Sequence, residues 1–211
     1  MRIGGISKQT LIDYPGKIAA TIFTQGCNFR CGYCHNPSLV LPHLIKQSQS
    51  ISDNQLLEWL AKRIDWLDAV VITGGEPTIH KDLPEFIATV KAMGYAIKLD
   101  TNGTNPAMLQ QLLEDELLDF VAMDIKHLPE MDMYKKVVGI ETTGDLMERI
   151  HYSVSLLQSA SVECQFRTTS IPGIHDDIQL EEIEKWLERP LSKQQYRETE
   201  TVADHHKQDV F

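Results

Sequence analysis

Lys17-Ile18-Ala19-Ala20-Thr21-Ile22-Phe23-Thr24 runs without a break into Gln25-Gly26-Cys27, and that junction decides the fold. The eight residues are largely apolar and β-branched, and they read as a strand buried on both faces, as strands of parallel sheets are. A chemically reactive residue follows at the strand's C-terminal end. The arrangement recurs along the chain. Ala69 to Thr73 ends in Gly74-Gly75-Glu76-Pro77, Ala96 to Asp100 in Thr101-Asn102-Gly103, Phe120 to Asp124 in Ile125-Lys126, and Val162 to Thr168 near Pro172-Gly173. Helical patterns fill the gaps. Ser52-Asp53 offers an N-cap before Leu56, Leu57, Leu60, Ile64 and Leu67, and Leu83 to Met93 is stopped by Gly94. Pro106 to Glu116, Asp145 to Ala160 and Asp177 to Leu187 continue the rhythm, while residues 37–50 read as loop.

Five to six β-then-α units predict an α/β fold, a partial (β/α)6 TIM-like barrel of parallel strands. In such a barrel the strand C-terminal ends share one face, where active sites are built. Five segments distant in sequence are thus expected at one mouth. The 211 residues suit one domain, expected over residues 1–190, and the polar stretch 191–211 reads as a flexible C-terminal tail. A formal charge of -10 makes the phosphate term of nucleic-acid binding repulsive, so neither nucleic acid nor an anionic membrane is an expected partner. No apolar run approaches the about 18 residues of a membrane span and no leader is visible, so a cytoplasmic protein is expected.

Cys27, Cys31 and Cys34 fall on one short loop, with Cys164 far away. Clustered thiols in a reducing compartment point to metal or redox chemistry rather than a disulfide framework. Three readings compete. A zinc site would take His35 as fourth ligand, but adjacent Cys34 and His35 can rarely ligate one tetrahedral ion without strain. A dithiol pair at Cys31-Gly32-Tyr33-Cys34 leaves Cys27 unexplained. An iron–sulfur cluster on three thiolates leaves one iron open, and an open position implies catalysis.

Cys-x3-Cys-x2-Cys with Tyr33 before the last cysteine resembles the signature of radical S-adenosylmethionine enzymes. The resemblance implies a [4Fe-4S] cluster on Cys27, Cys31 and Cys34. Its fourth iron would be chelated by S-adenosylmethionine, whose reductive cleavage yields a 5′-deoxyadenosyl radical. Gly74-Gly75-Glu76 resembles the family's Gly-Gly-Glu motif, which implies that Glu76 meets the ligand's amino group and that the glycines let backbone approach the ligand. Asp100-Thr101-Asn102-Gly103 and Asp124-Ile125-Lys126 resemble segments of glycyl-radical-enzyme activases. There Asp100, Thr101 and Asp124 would hold a monovalent cation and Lys126 would lie near the ligand's carboxylate or ribose. Tyr33, Thr101, Asn102 and Arg167 complete the implied cofactor-binding set. An Arg ending an apolar strand needs a bound carboxylate or an internal Asp as partner. Cys164 reads as a small buried hydrophobe, His35-Asn36 as lining of the cavity, and His205-His206 as solvated.

Thr10-Leu11-Ile12-Asp13-Tyr14-Pro15-Gly16-Lys17, with Phe23 to Cys31, resembles the activating proteins of anaerobic ribonucleoside-triphosphate reductase. That likeness implies a radical-generating activase acting on a backbone glycine of a large partner, with flavodoxin or ferredoxin as electron donor. Two other readings stay open: a radical enzyme acting on a small molecule such as a deazapurine precursor, and a cluster-carrying electron-transfer module. A ligand site at Gly74 to Glu76 weighs against the last.

Overall fold

Each strand after the second pairs in parallel with its predecessor. The computed structural model describes residues 1–206. Its elements run β1 (Ile3–Thr10), β2 (Ala19–Thr24), α1 (Pro37–Val40), α2 (Pro42–Gln47), α3 (Asp53–Ala61), β3 (Ala69–Gly74), α4 (Leu83–Ala92), β4 (Ala96–Thr101) and α5 (Pro106–Glu114). They continue with β5 (Phe120–Asp124), α6 (Met131–Val138), α7 (Gly144–Ser159), β6 (Glu163–Ser170), α8 (Asp177–Leu187), β7 (Leu191–Gln195) and α9 (Val202–His206). Spatial order equals chain order: β1 is antiparallel to β2, and β2 through β7 are parallel. β1 and β7 are the two edges, so the barrel is open.

Residue parity sorts the strands into two faces. Ala20, Ile22, Val70, Ile72, Ile97, Leu99, Val121, Met123 and Phe166 join the large core shared with the helices. The alternate residues Ala19, Ala69, Val71, Phe120 and Ala122 pack with Tyr14 into a small second cluster inside the barrel, with the Tyr14 and Phe120 rings edge to face at 5.7 Å. These residues sit toward the strand starts and floor the barrel. Farther along the same face come Lys98, Asp100, Asp124 and Arg167. The interior is therefore apolar at the bottom and charged toward the mouth.

Ser52 caps α3 through a capping box with Gln55, as its sequence predicts. The helix is shorter than its apolar stripe, ending at Ala61 before a turn that buries Leu67. Two edge strands carry no hydrophobic run. β1 (Ile-Gly-Gly-Ile-Ser-Lys-Gln-Thr) is mostly half-buried, and β7 (Leu-Ser-Lys-Gln-Gln) buries only Leu191. Backbone pairing to their neighbours holds both, and such pairing leaves no periodic apolar signal. The expectation of a flexible tail from 191 is thereby corrected over 191–195, which pair with β6, and over 202–206, which form α9. Residues 207–211 of that expected tail lie outside the described residues.

Candidate functional site

At the strand C-terminal ends lies a cavity of about 220 Å³. Cys27, Cys31, Tyr33, Cys34, Gly74, Gly75, Glu76, Asp100, Thr101, Asn102, Asp124, Lys126 and Arg167 all line it, together with His35, Asn36, Thr73 and Thr169. Every residue implied by the sequence motifs therefore borders one space. What each side chain does there differs.

The cysteine loop is shaped by backbone contacts. The Arg30 guanidinium donates to the carbonyls of Cys27 at 2.7 Å and Phe29 at 2.6 Å, and the Arg30 amide donates to Val138 O at the end of α6 at 2.8 Å. Phe29 is buried edge to face against Tyr134, anchoring the loop while its amide donates to Cys27 Sγ at 3.4 Å. Burial pushes the Cys27 thiol up to about 12 and raises that of Cys31, with Lys126 pulling the other way at both. A thiol raised in this way keeps its proton when alone and would become a ligand only once a metal displaced that proton. Cys27, Cys31 and Cys34 all border the cavity, while among the described residues no three His, Cys, Asp or Glu converge as ligands of one ion do. In a cluster each thiolate binds a different iron, so the donor set fits a multi-iron group. Cys164 lies apart, its Sγ against Leu157 O and Arg189.

The Gly74–Glu76 turn is built differently. Gly74 sits at φ +115, and a Cβ there would fall 2.4 Å from Thr24 N; at Gly75 it would fall 1.9 Å from Gly26 O. The glycines thus let the end of β3 nest against the end of β2, where the cysteine loop begins. Glu76 is 1% exposed. Its Oε1 accepts from Thr78 N at 3.0 Å, Thr78 Oγ1 at 2.6 Å and Thr101 Oγ1 at 2.8 Å, while Oε2 accepts from Asn102 N at 2.7 Å. Burial raises its pKa against these donors. Asn102 in turn donates from Nδ2 to Asn28 Oδ1 at 2.9 Å, and Asn28 donates to Thr104 Oγ1 at 2.6 Å. One lattice thus ties the ends of β3 and β4 to the cysteine loop.

Across the cavity stands a ladder of alternating charge. Lys98 Nζ meets Asp100 Oδ1 at 2.7 Å, Arg167 Nη2 meets Asp100 Oδ2 at 3.0 Å, Arg167 Nε meets Asp124 Oδ1, and Lys126 Nζ meets Asp124 Oδ2 at 3.1 Å. Burial would raise the Asp124 carboxyl, but Arg167 and Lys126 hold it well below the usual carboxylate range. The internal carboxylates expected for Arg167 are thus Asp100 and Asp124. The same two, considered for a monovalent cation, are already neutralised by three cationic side chains. Lys126 Nζ lies 6.0 Å from the Tyr33 ring centroid and faces the cavity.

Sequence reasoning missed Lys98, whose only sign was a lysine inside an apolar strand, and the Asn28, Thr78 and Thr104 members of the lattice. It also missed His175. That ring accepts from Ile171 N at Nδ1 (3.2 Å) and donates from Nε2 to Lys126 O (2.9 Å), clipping the Lys126 segment to the loop after β6. His35 is exposed, its ring 5.5 Å from that of Tyr196. His205, expected in solvent, is partly buried beside Glu200 at 2.9 Å.

Comparison with known proteins agrees with this geometry. A glycyl-radical enzyme activating enzyme of Methanocaldococcus jannaschii, so named provisionally, is 36% identical over 187 residues, 87% of this chain and 74% of its own length. Pyruvate formate-lyase-activating enzyme of Clostridium pasteurianum is 32% identical over 146 residues, 65% of this chain and 57% of that protein. The crystal structure of Streptococcus suis SuiB superposes with a TM-score of 0.65 at 14% identity, covering 85% of this chain and 39% of SuiB; at that identity it supports the fold alone. The model of the radical SAM superfamily matches residues 21–188, from the middle of β2 to the end of α8. With that match over most of its length and three thiols on one loop at the barrel mouth, the chain belongs to the radical S-adenosylmethionine superfamily.

Proposed function

We propose that this protein is an activase that generates a glycyl radical on a large partner enzyme, with anaerobic ribonucleoside-triphosphate reductase as that partner. The open barrel carries the reading: β1 and β7 stand at opposite ends of the sheet and do not pair with each other, so the barrel is not closed around the mouth. Such a mouth suits a backbone loop of another protein better than enclosure of a small substrate. The activating-enzyme relatives support the same class.

Cys27, Cys31 and Cys34 would hold the [4Fe-4S] cluster, and S-adenosylmethionine would take the remaining cavity. When bound, this pair supplies a 5′-deoxyadenosyl radical at the cost of one electron, delivered by a flavodoxin or ferredoxin. Lys126 has three donors and spends one on Asp124, so it can also meet the ligand's carboxylate. Arg167 holds the two aspartates beneath it. Glu76 is better placed to fix the turn than to meet an ammonium, since its oxygens already accept four hydrogen bonds; backbone of Thr73 to Gly75 lines the cavity beside it. A monovalent cation would have to compete with Lys98, Lys126 and Arg167.

The test is electron paramagnetic resonance of reduced protein, S-adenosylmethionine and the reductase mixed anaerobically. A persistent glycyl radical on the reductase is expected. A reductase that stays radical-free while a small heterocycle is consumed would move the assignment to a small-molecule radical enzyme.

A further inference from the structure

The superfamily match ends at residue 188, yet the chain continues and returns to the cysteine loop. Two backbone amides of α9 donate to carbonyls inside that loop: Val202 N to Cys34 O at 3.0 Å and Ala203 N to Gly32 O at 2.9 Å. Val202 is fully buried, packed with Val40 and Leu41, and the Cys27 and Cys34 side chains lie against the same small cluster. Asp204 Oδ2 accepts from both the amide and the hydroxyl of Thr201 at 2.9 Å, which fixes the turn that presents these amides. Gly32 faces Ala203, whose Cβ would stand 3.6 Å from a Cβ at position 32. The opposite flank of the loop is held by the Arg30 amide on Val138 O. The cysteine loop is thus pinned from two sides, and one of them lies beyond the matched family region.

We infer that Thr201 to Asp204 form a strap, with Val202 and Ala203 as positioning residues that keep Gly32 to Cys34 in the conformation that retains the cluster. The physical basis is simple. Three thiolates on one loop hold a cluster together only while the loop keeps its shape, and a loop of this length with two glycines nearby has little shape of its own. The strap supplies two hydrogen bonds and one buried valine. It offers backbone amides and an apolar side chain, none of which can ligate iron, so it acts through the loop.

The inference rests on the cysteine loop holding a cluster and not on the choice of partner enzyme. Full-length chain, anaerobically reconstituted with iron and sulfide, is challenged with a ferrous chelator while the cluster's visible absorbance is followed. Val202→Asp should release iron roughly tenfold faster than the unaltered protein, about 1.4 kcal/mol by the usual conversion and the scale of withdrawing one buried valine. Val202→Ile, which keeps a buried apolar side chain, should keep the slow rate. Hydrogen exchange on the unaltered protein gives a second reading that needs no variant: the Val202 and Ala203 amides should exchange slowly. Equal release rates in Val202→Asp and the parent, or unprotected amides at 202 and 203, would overturn the strap. If the parent itself binds no cluster, the reading of the site fails instead.

Discussion

The cysteine loop and the Gly74–Glu76 turn border one cavity, and both read in sequence as ligand-binding motifs. The structure separates them. The loop lines the cavity with its cysteines and takes its shape from backbone contacts: its own Arg30 guanidinium, Val138 O, and the amides of Val202 and Ala203. The turn does the reverse, spending its carboxylate on Thr78, Thr101 and Asn102. A motif therefore locates a site without saying which of its atoms serve the ligand and which serve the fold. Burial with complete hydrogen bonding distinguishes the two.

That contrast can be broken by substitution. Changing Cys27, Cys31 or Cys34 to Ala should abolish cluster loading, read as iron per chain, while leaving the unfolding midpoint of the metal-free protein nearly unchanged; Cys164→Ala should load normally. In the charge ladder, Arg167→Met leaves Asp100 and Asp124 in the interior with fewer cations. It should destabilise the metal-free protein by about 3–5 kcal/mol in chemical denaturation, the cost of breaking a buried ion pair. A loss below about 1 kcal/mol, the scale of a surface pair, would show the ladder to be solvent-screened.

Glu76→Ala is the sharper probe of the comparison. It strands the amides of Thr78 and Asn102, and each buried donor left unpaired costs about 1–3 kcal/mol. Metal-free Glu76→Ala should therefore lose about 2–4 kcal/mol of stability, where the cysteine variants lose little. Unchanged stability with weakened S-adenosylmethionine binding would return Glu76 to a direct ligand role.

The smallest effect expected is one of pH. Burial lowers the pKa of His175 and of His80 from 6.5. In the folded state both then resist a proton that the unfolded chain accepts. The unfolded state binds more protons below about pH 6.5, so stability should fall as pH drops through that window. Asp124, with its pKa depressed, adds the same sign at lower pH, whereas the raised pKa of Glu76 opposes it. The His175→Gln variant should show a shallower fall of the unfolding midpoint between about pH 7.5 and 5.5 than the parent. An identical slope would mean that the clip to Lys126 carries no proton linkage.

How much of this was legible in sequence follows the same division. Strands buried on both faces announce themselves, because apolar β-branched runs need no partner to be recognised; Lys17 to Thr24 and Ala69 to Thr73 are such runs. β1 and β7 do not, since an edge strand of glycines, lysine and glutamines is held mainly by backbone pairing and buries little beyond Ile3 or Leu191. The cysteines were legible because spacing on one short loop is local information. The role of Glu76 was not, because it depends on Thr101 and Asn102 arriving from the next strand. Lys98 carried no sign of its partners in sequence, because Asp100 and Arg167 meet it only inside the barrel. The strap was hidden because its hold on the loop needs only one buried apolar residue, Val202, in an otherwise polar stretch.

One measurement bears most directly on the claim that the cysteine loop is the reactive centre. Anaerobically reconstituted protein is reduced with S-adenosylmethionine present, and 5′-deoxyadenosine is quantified beside Cys31→Ala and Glu76→Gln prepared the same way. The account predicts 5′-deoxyadenosine from the parent, none from Cys31→Ala, and product at a reduced rate from Glu76→Gln, which keeps the side chain's size but turns amide hydrogens toward a group from which Glu76 accepts. Iron-loaded parent protein that releases no 5′-deoxyadenosine, or product formed equally by Cys31→Ala, would contradict it.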